Sequence, residues 1–211
     1  PYTDFFGGIA VNCLGYNDPD LVRAVSEQAA KIMHTSNLFY NRPQMDLTER
    51  MTEDGMFDRV FFCNSGAEAN ECAIKIARKY GEKKHAYKIV TLENSFHGRT
   101  LTTLAATGQD GFHRLFTPLT EGFVYAKGND AEDLKAKLSD PEVCAVLLES
   151  VQGEGGVVPM EEDYLKAVRA LCTERDVLMM LDEVQTGIGR TGYFFSYQRA
   201  GILPDVVTAA K

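Results

Sequence analysis

The chain has 211 residues, of which 45% are hydrophobic, and its formal net charge at pH 7 is -8. This composition allows a globular core, and the negative charge excludes a broad electrostatic attraction to nucleic acid or to anionic lipid. No apolar run reaches the roughly 18 residues that a membrane-spanning helix needs, and the first residues do not form a signal peptide. We therefore expect a cytoplasmic protein with neither a nucleic-acid partner nor a membrane partner.

The cysteines and histidines do not predict a metal site. The five cysteines form no Cys-x-x-Cys pair, and the four histidines lack the spacing of metal ligands on a helix. An odd number of cysteines also argues against a disulfide framework. The sequence therefore predicts no metal.

The first 55 residues have an irregular pattern. A Gly-rich segment, residues 7–15, precedes a helical stretch, residues 20–34, whose start is capped near Asn17 and Pro19. We predict a helix over residues 20–34 and treat residues 1–55 as a separate N-terminal segment.

From residue 58 onward, short apolar runs alternate with amphipathic stretches, a pattern typical of a parallel β-sheet covered by helices. Apolar residues at helical spacing predict helices over residues 68–80 and 164–175. We therefore predict an α/β domain over residues 56–211, with a mostly parallel sheet and helices on both faces. The predicted strands are residues 59–63, 87–92, 122–126, 143–149, 177–181 and 206–209.

Residues 64–70, NSGAEAN, follow the first predicted strand and open the predicted helix. Free backbone N–H groups and the positive end of the helix would converge there, Ser65 offers a hydroxyl, and Gly66 permits close approach. These features predict a phosphate site. An ordinary helix cap on Asn64 or Ser65 would explain the same residues.

Residues 94–100, NSFHGRT, follow the second predicted strand, at the edge where open parallel sheets bind ligands. Phe96 could stack on a flat ligand, and Arg99 could bind a carboxylate through its planar guanidinium group. The alternatives are a core phenylalanine and a surface arginine. After the fourth predicted strand, residues 148–156, LESVQGEGG, add two carboxylates, Glu149 and Glu154.

Asp182 ends an apolar run, where a carboxylate is costly unless it meets a cation. Lys211 follows another apolar run, residues 206–209. A pyridoxal 5'-phosphate (PLP) enzyme needs such a pair, because the lysine carries the cofactor's aldehyde and the carboxylate keeps its ring nitrogen protonated. Residues 187–192 match the pattern G-x-G-x-x-G, but they neither directly follow a strand nor open a helix, so we discount a dinucleotide site.

Five motifs, in this order, resemble the class III (ω-amino) aminotransferases, and most closely the acetylornithine-specific members of that family. They are NSGAEAN at 64–70, FHGRT at 96–100, QGEGG at 152–156, LDEVQTGIGRTG at 181–192 and AK at 210–211. Residues 8–15 and 34–41 extend the resemblance toward the N-terminus. The family implies a fold type I PLP-dependent transferase. Residues 56–211 would form its large domain, incomplete and ending at the PLP lysine, and residues 1–55 part of the small domain with a linking helix.

The resemblance implies a cofactor-binding role for residues of four motifs. By this resemblance the phosphate would be held by Ser65, Gly66 and Ala67, and the two faces of the ring would be covered by Phe96 and Val184. The ring nitrogen would pair with Asp182 and the phenolic oxygen with Gln185, while the aldehyde would be bonded to Lys211. Catalysis would depend on Lys211 and Asp182.

The implied reaction moves the side-chain amino group of N-acetylornithine to 2-oxoglutarate, which becomes glutamate, in a homodimer. Arg99 would bind the α-carboxylate of acetylornithine, and Glu154 would control a distal arginine. The alternatives are an ornithine, succinylornithine or 4-aminobutyrate aminotransferase, or, in another class, a non-catalytic fragment. One departure is Ser150, where the family usually has proline. Chains of the family are also much longer, so we expect this chain to be a segment that is inactive alone and self-associates.

Overall fold

The computed structural model describes residues 1–36, 38–53 and 57–211. The chain divides into two compact units, Pro1–Phe62 and Cys63–Lys211. Asn37, in the motif of residues 34–41, and the predicted domain boundary between residues 55 and 56 lie outside the described residues. In the part of the chain that is described, no helix combines the length and apolarity needed to cross a membrane.

The described residues of the first unit form the helices α1 Gly7–Ala10, α2 Pro19–Lys31 and α3 Arg42–Thr52, and none of the residues in these helices is buried. The helix predicted over residues 20–34 is confirmed as α2, whose N-terminus is capped by the Asp18 carboxylate, an acceptor for the backbone N–H groups of Asp20 and Leu21. It ends before the predicted residue 34. Helix α3 was not predicted.

The second unit is built on a five-stranded sheet. Its strands are β1 Lys88–Leu92, β2 Phe123–Ala126, β3 Val143–Glu149, β6 Leu178–Glu183 and β7 Val206–Ala209, beside a small antiparallel pair, β4 Val151–Gln152 and β5 Val158–Pro159. The order of the strands in the sheet is β2-β1-β3-β6-β7, and all its pairings are parallel. The predicted α/β class is therefore confirmed. The helices are α4 Gly66–Gly81, α5 Leu101–Ala106, α6 Asp110–His113, α7 Ala131–Lys137 and α8 Glu162–Arg175.

The core lies on both faces of this sheet. All seven residues of β3 are buried, which is expected of a central strand whose side chains point alternately to two covered faces. Helix α4 packs Ala73, Ile74 and Ala77 against one face, which includes Ala145 and Leu147 of β3. The alternate residues of β3 are equally buried, and helices α7 and α8 pack against β2 and β6.

The predicted strand at residues 59–63 is wrong. These residues form no sheet ladder with any described residue, and most of them are exposed. The apolar pattern RVFFC satisfies the local preference for a strand, but a strand also needs a partner edge, which local sequence does not report. The motif at residues 64–70 therefore follows irregular backbone, although helix α4 begins within it as predicted.

Candidate active site

A cavity of about 190 Å³ opens at the carboxyl edge of the sheet, where ligands bind in open α/β folds. The first two turns of α4 contribute part of its wall, and the segments that follow β1, β3, β6 and β7 contribute the rest. The lining residues are Gly66, Ala67, Asn70, Phe96, His97, Gly98, Glu149, Val151, Glu154, Asp182, Val184, Gln185, Thr186 and Lys211.

The structure brings most of the predicted site residues together in this cavity, although they are distant in sequence. Ser65 and Arg99 do not contribute to its lining. The predicted residues that line it are Gly66, Ala67, Phe96, Glu154, Asp182, Val184, Gln185 and Lys211.

Helix α4 begins at the cavity wall. Its cap is Ser65, whose hydroxyl accepts a hydrogen bond from the Glu68 N–H at 3.2 Å, while the Glu68 carboxylate accepts from the Asn64 N–H at 2.6 Å. The N–H groups of Gly66 and Ala67 lie in the first turn, which has no intrahelical acceptors for them. The ordinary cap is thus present, and it leaves the positive helix end facing the cavity.

Asp182 is buried at the end of β6 and is held by three donors. Its Oδ2 accepts hydrogen bonds from Asn70 Nδ2 at 2.7 Å and pairs with His97 Nδ1 at 2.8 Å. Its Oδ1 accepts from the Val184 N–H at 3.0 Å. These donors satisfy a carboxylate whose burial without hydrogen-bond partners would be costly.

The sequence reasoning missed Asn70 and His97 as partners of Asp182. Both residues lie inside motifs that were recognised, but they are 112 and 85 residues from Asp182 along the chain. Only the sheet order brings the three elements together. The available signal was helical spacing, since Asn70 lies one turn after Gly66 on the helix that lines the cavity.

Glu149 is a second buried carboxylate at this edge. It is the residue of β3 that pairs directly with Asp182 of β6, and its Oε2 accepts a hydrogen bond from the Phe96 N–H at 3.0 Å. Burial, and then the neighbouring Asp182, raise the pKa of the Glu149 carboxyl well above its ordinary value. The Glu149 carboxyl therefore holds its proton more tightly than that of an exposed glutamate.

The Lys211 amine donates a hydrogen bond to Gln185 Oε1 at 2.7 Å. The Gln185 amide lies close to the backbone of the loop after β3. A Cβ added to Gly153 in this loop would lie only 2.1 Å from Gln185 Nε2. Glu154 follows in the same loop and lines the cavity. A flexible amine, an amide and a carboxylate thus face the same space.

Arg99 is exposed and lies beside the cavity wall. Its guanidinium carbon is 4.7 Å from the ring centroid of Phe112 and 5.9 Å from that of Phe96. The two rings meet edge to face, with centroids 5.8 Å apart. Phe96 therefore reaches the lining, whereas Arg99 stacks outside it.

Glu183, which was not singled out from the sequence, anchors the loop that carries Val184 and Gln185. Its buried carboxylate accepts hydrogen bonds from the Ser196 and Tyr197 N–H groups at 3.1 and 3.0 Å, and from the hydroxyls of Thr186 and Ser150. Burial raises the pKa of Glu183 in spite of these donors. Ser150, which stands where the family usually has proline, thus serves as a donor as well as a turn residue.

Comparison with known proteins identifies the family of this chain. The whole chain, residues 1–211, matches the family described as Aminotransferase class-III. An acetylornithine aminotransferase of Caldanaerobacter subterraneus is 52% identical over 213 residues, covering 100% of this chain and 54% of that protein. An acetylornithine aminotransferase of Wolinella succinogenes is 53% identical over 215 residues, covering 100% of this chain and 54% of that protein. The chain thus spans about half the length of the curated relatives it matches.

Solved structures agree with this assignment. N-acetylornithine aminotransferase from Stenotrophomonas maltophilia is 44% identical, with a TM-score of 0.85 over 100% of this chain and 53% of that one. An ornithine aminotransferase from Toxoplasma gondii, with partial occupancy of PLP at its active site, is 34% identical, with a TM-score of 0.93 over 99% and 50% of the two chains. The resemblance read from the motifs is confirmed: the chain belongs to the class III aminotransferases.

Proposed function

We propose that this chain supplies the PLP site of an enzyme that moves the side-chain amino group of N-acetylornithine to 2-oxoglutarate. The observation that carries the proposal is the common cavity, which a buried carboxylate, Asp182, shares with an amine, Lys211, and with the start of helix α4. The acetylornithine specificity is supported by relatives of that name at 52% and 53% identity.

The start of α4 fits the phosphate of PLP. The N–H groups of Gly66 and Ala67 would donate to the phosphate oxygens, and the positive helix end favours a dianion. A Cβ on Gly66 would lie 2.7 Å from a methyl group of Val184, so glycine lets the helix start approach the β6 loop closely. The Ser65 hydroxyl accepts from Glu68 and still has a proton to donate to a phosphate oxygen.

The remainder of the cavity fits a pyridine ring. Asp182 is an acceptor on a buried strand end, which suits a protonated ring nitrogen. Phe96 and Val184 offer apolar surface for the two faces of a ring, and Gln185 offers an amide for its phenolic oxygen. The lining of the cavity is polar at its edges and apolar between them, as in most small-molecule sites.

When bound, PLP supplies an electron sink that stabilises a carbanion at the amine-bearing carbon of the substrate. Asp182 would hold the protonated ring nitrogen and so maintain that sink. Lys211 would hold the cofactor's aldehyde, and its amine would take up and return the substrate proton. Its present partner is Gln185, a neutral amide that can release it without leaving a buried charge unpaired.

Arg99 and Glu154 are proposed to select the substrate. Arg99 would move from its stacked position over Phe112 to bind the α-carboxylate of the amine donor, and Glu154 would oppose a distal arginine. An ornithine aminotransferase is the second candidate, because a solved enzyme of that kind matches the fold with a TM-score of 0.93. Since Arg99 is exposed, its role depends on a rearrangement that substrate binding would drive.

The proposal is tested on the longer protein that contains this chain, purified with PLP. We expect visible absorption from bound cofactor, and transamination of N-acetylornithine at a higher kcat/KM than that of ornithine, succinylornithine or 4-aminobutyrate. Lys211→Ala should abolish turnover, while the exposed Lys166→Ala should not. Bound PLP with ornithine as the best donor would favour the second candidate, and no bound PLP would refute the cofactor assignment.

A further inference from the structure

Asn70 and His97 form a bonded network around one oxygen of Asp182. Asn70 Nδ2 donates to Asp182 Oδ2 and to the backbone carbonyl of His97, at 2.7 and 2.8 Å. Asn70 Oδ1 accepts from the Thr208 hydroxyl at 2.7 Å. Since both groups facing the Asn70 nitrogen are acceptors and Thr208 can donate, the orientation of the amide is fixed.

This one amide joins every element that carries a predicted cofactor contact. Asn70 belongs to α4, Asp182 to β6, and Thr208 to β7, three residues before Lys211; His97 directly follows Phe96. All four side chains of the network are buried, with 1% of Asn70 exposed. A change in this amide would therefore shift several cavity walls at once, because the buried groups have no water to replace a lost partner.

The imidazole of His97 has two different nitrogens. Nδ1 faces the Asp182 carboxylate, so in the neutral ring Nδ1 carries the proton. Nε2 is buried and has no partner among the described residues. The contact that a replacement of His97 must keep is therefore the Nδ1–H donor.

We propose that Asn70 and His97 are positioning residues for the proposed aminotransferase reaction. By donating together to Oδ2 they hold the Asp182 carboxylate and prevent it from rotating, while the Val184 N–H holds Oδ1. The fixed carboxylate would in turn accept the N–H of the PLP ring nitrogen. The proposal rests on PLP binding at Asp182, and neither residue is assigned contact with the reacting atoms.

The test compares His97→Asn with His97→Gln and His97→Leu. An asparagine amide can place its nitrogen near the position of Nδ1, whereas a glutamine amide reaches toward Nε2 and leucine has no donor. With isotopically labelled PLP, the NMR shift of the ring nitrogen should remain close to that of the wild type in His97→Asn. It should move toward the unprotonated pyridine in the other two variants. Their kcat should fall about tenfold or more, the loss expected for a charge-assisted hydrogen bond, with smaller changes in KM.

Asn70→Leu is the second variant, because it keeps nearly the shape of the side chain and removes the donor to Asp182 Oδ2. It should show the same change in the ring-nitrogen shift, as should Asn70→Ala. Wild-type ring-nitrogen shifts in His97→Leu and Asn70→Leu would overturn the proposal. So would equal losses in His97→Asn and His97→Leu, since the Nδ1 donor would then not matter.

If the wild-type protein binds no PLP, the proposed function fails, and crystal structures of the apoprotein decide this proposal separately. The Asp182 carboxylate should keep its orientation in His97→Asn and rotate in His97→Leu. An unchanged orientation in His97→Leu would refute the positioning role even where the cofactor assignment holds.

Discussion

Asp182 and Glu149 stand directly opposite each other on neighbouring strands, yet their surroundings differ. Asp182 receives two side-chain donors, Asn70 and His97, in addition to a backbone N–H. Glu149 accepts hydrogen bonds from the backbone of Phe96 and of Gly153. Burial, and then the neighbouring Asp182, raise the pKa of its carboxyl in spite of these donors.

We expect Glu149→Gln to change the pH dependence of stability. The pKa of Glu149 is raised in the folded protein, above its ordinary value of 4.5. Between that value and the raised one, the folded state binds more protons than the unfolded state, so stability falls as pH rises through this window. Glu149→Gln removes that loss. Relative to the wild type, its unfolding free energy should rise by about 1 kcal/mol or more from about pH 5 to about pH 8.

Urea unfolding of the apoprotein at several pH values measures this difference. The exposed Glu174→Gln is the matched control and should follow the wild type at every pH. Parallel curves for the wild type and Glu149→Gln would contradict a raised pKa at Glu149.

Asp182→Asn tests the proposed anion directly. The amide has nearly the same shape, so the fold and PLP binding should persist, but the ring nitrogen should lose its proton. Turnover of the longer protein should then fall by several orders of magnitude. The control is Asp163→Asn, a substitution of an exposed carboxylate on α8. The loss of one hydrogen bond lowers turnover by more than a factor of about two. If turnover of Asp182→Asn stays within that factor of the wild type, the proposed role of Asp182 is ruled out.

At the scale of elements, helix α4 and the loop after β6 meet with little clearance. A Cβ on Gly66 would lie 2.7 and 2.8 Å from the two methyl carbons of Val184. We expect Gly66→Ala to weaken PLP binding about tenfold and to destabilise the protein by about 1 to 3 kcal/mol, because the helix start must shift. Gly111→Ala is the control, since nothing lies within 4 Å of its added Cβ.

Cofactor titration and denaturant unfolding measure these two losses. The double variant Gly66→Ala/Val184→Ala should recover part of the stability, because it removes the methyl groups that the new Cβ would meet. If Gly66→Ala and Gly111→Ala behave alike, the close approach has no consequence for the site.

Elements were predictable where pattern and packing agreed. The strands at 87–92, 122–126, 143–149 and 206–209 were found with small errors at their ends, because a buried parallel strand is a short apolar run between turns. Helices α5, α6 and α7 were missed, since each is short and gives too few turns for a periodic signal.

At the scale of the whole chain, residues 1–62 stand out because their helices bury no described residue. Large apolar side chains there are exposed, among them Phe5 at 95%, Leu38 at 87% and Met33 at 84%. We expect the 211-residue chain to self-associate, since exposed large apolar side chains favour association in water.

Sedimentation over a range of protein concentrations measures this association. A triple variant, Phe5→Ser, Met33→Ser and Leu38→Ser, should shift the chain toward monomer. Serine substitutions at three exposed charged residues should not. A monodisperse monomer at all concentrations would contradict the expectation, and substantial transamination by the 211-residue chain would refute the expectation that the segment is inactive.

The sequence by itself determined the α/β class, most strands, the start of α4 and the residues that resemble a class III aminotransferase site. These features are local: a run, a cap or a motif reports the chemistry of adjacent residues. The tertiary structure decided that residues 59–63 form no strand, that Arg99 stacks outside the cavity, and that Asn70 and His97 bond to Asp182. Those contacts join residues up to 112 positions apart, and only the order of strands in the sheet brings them within bonding distance.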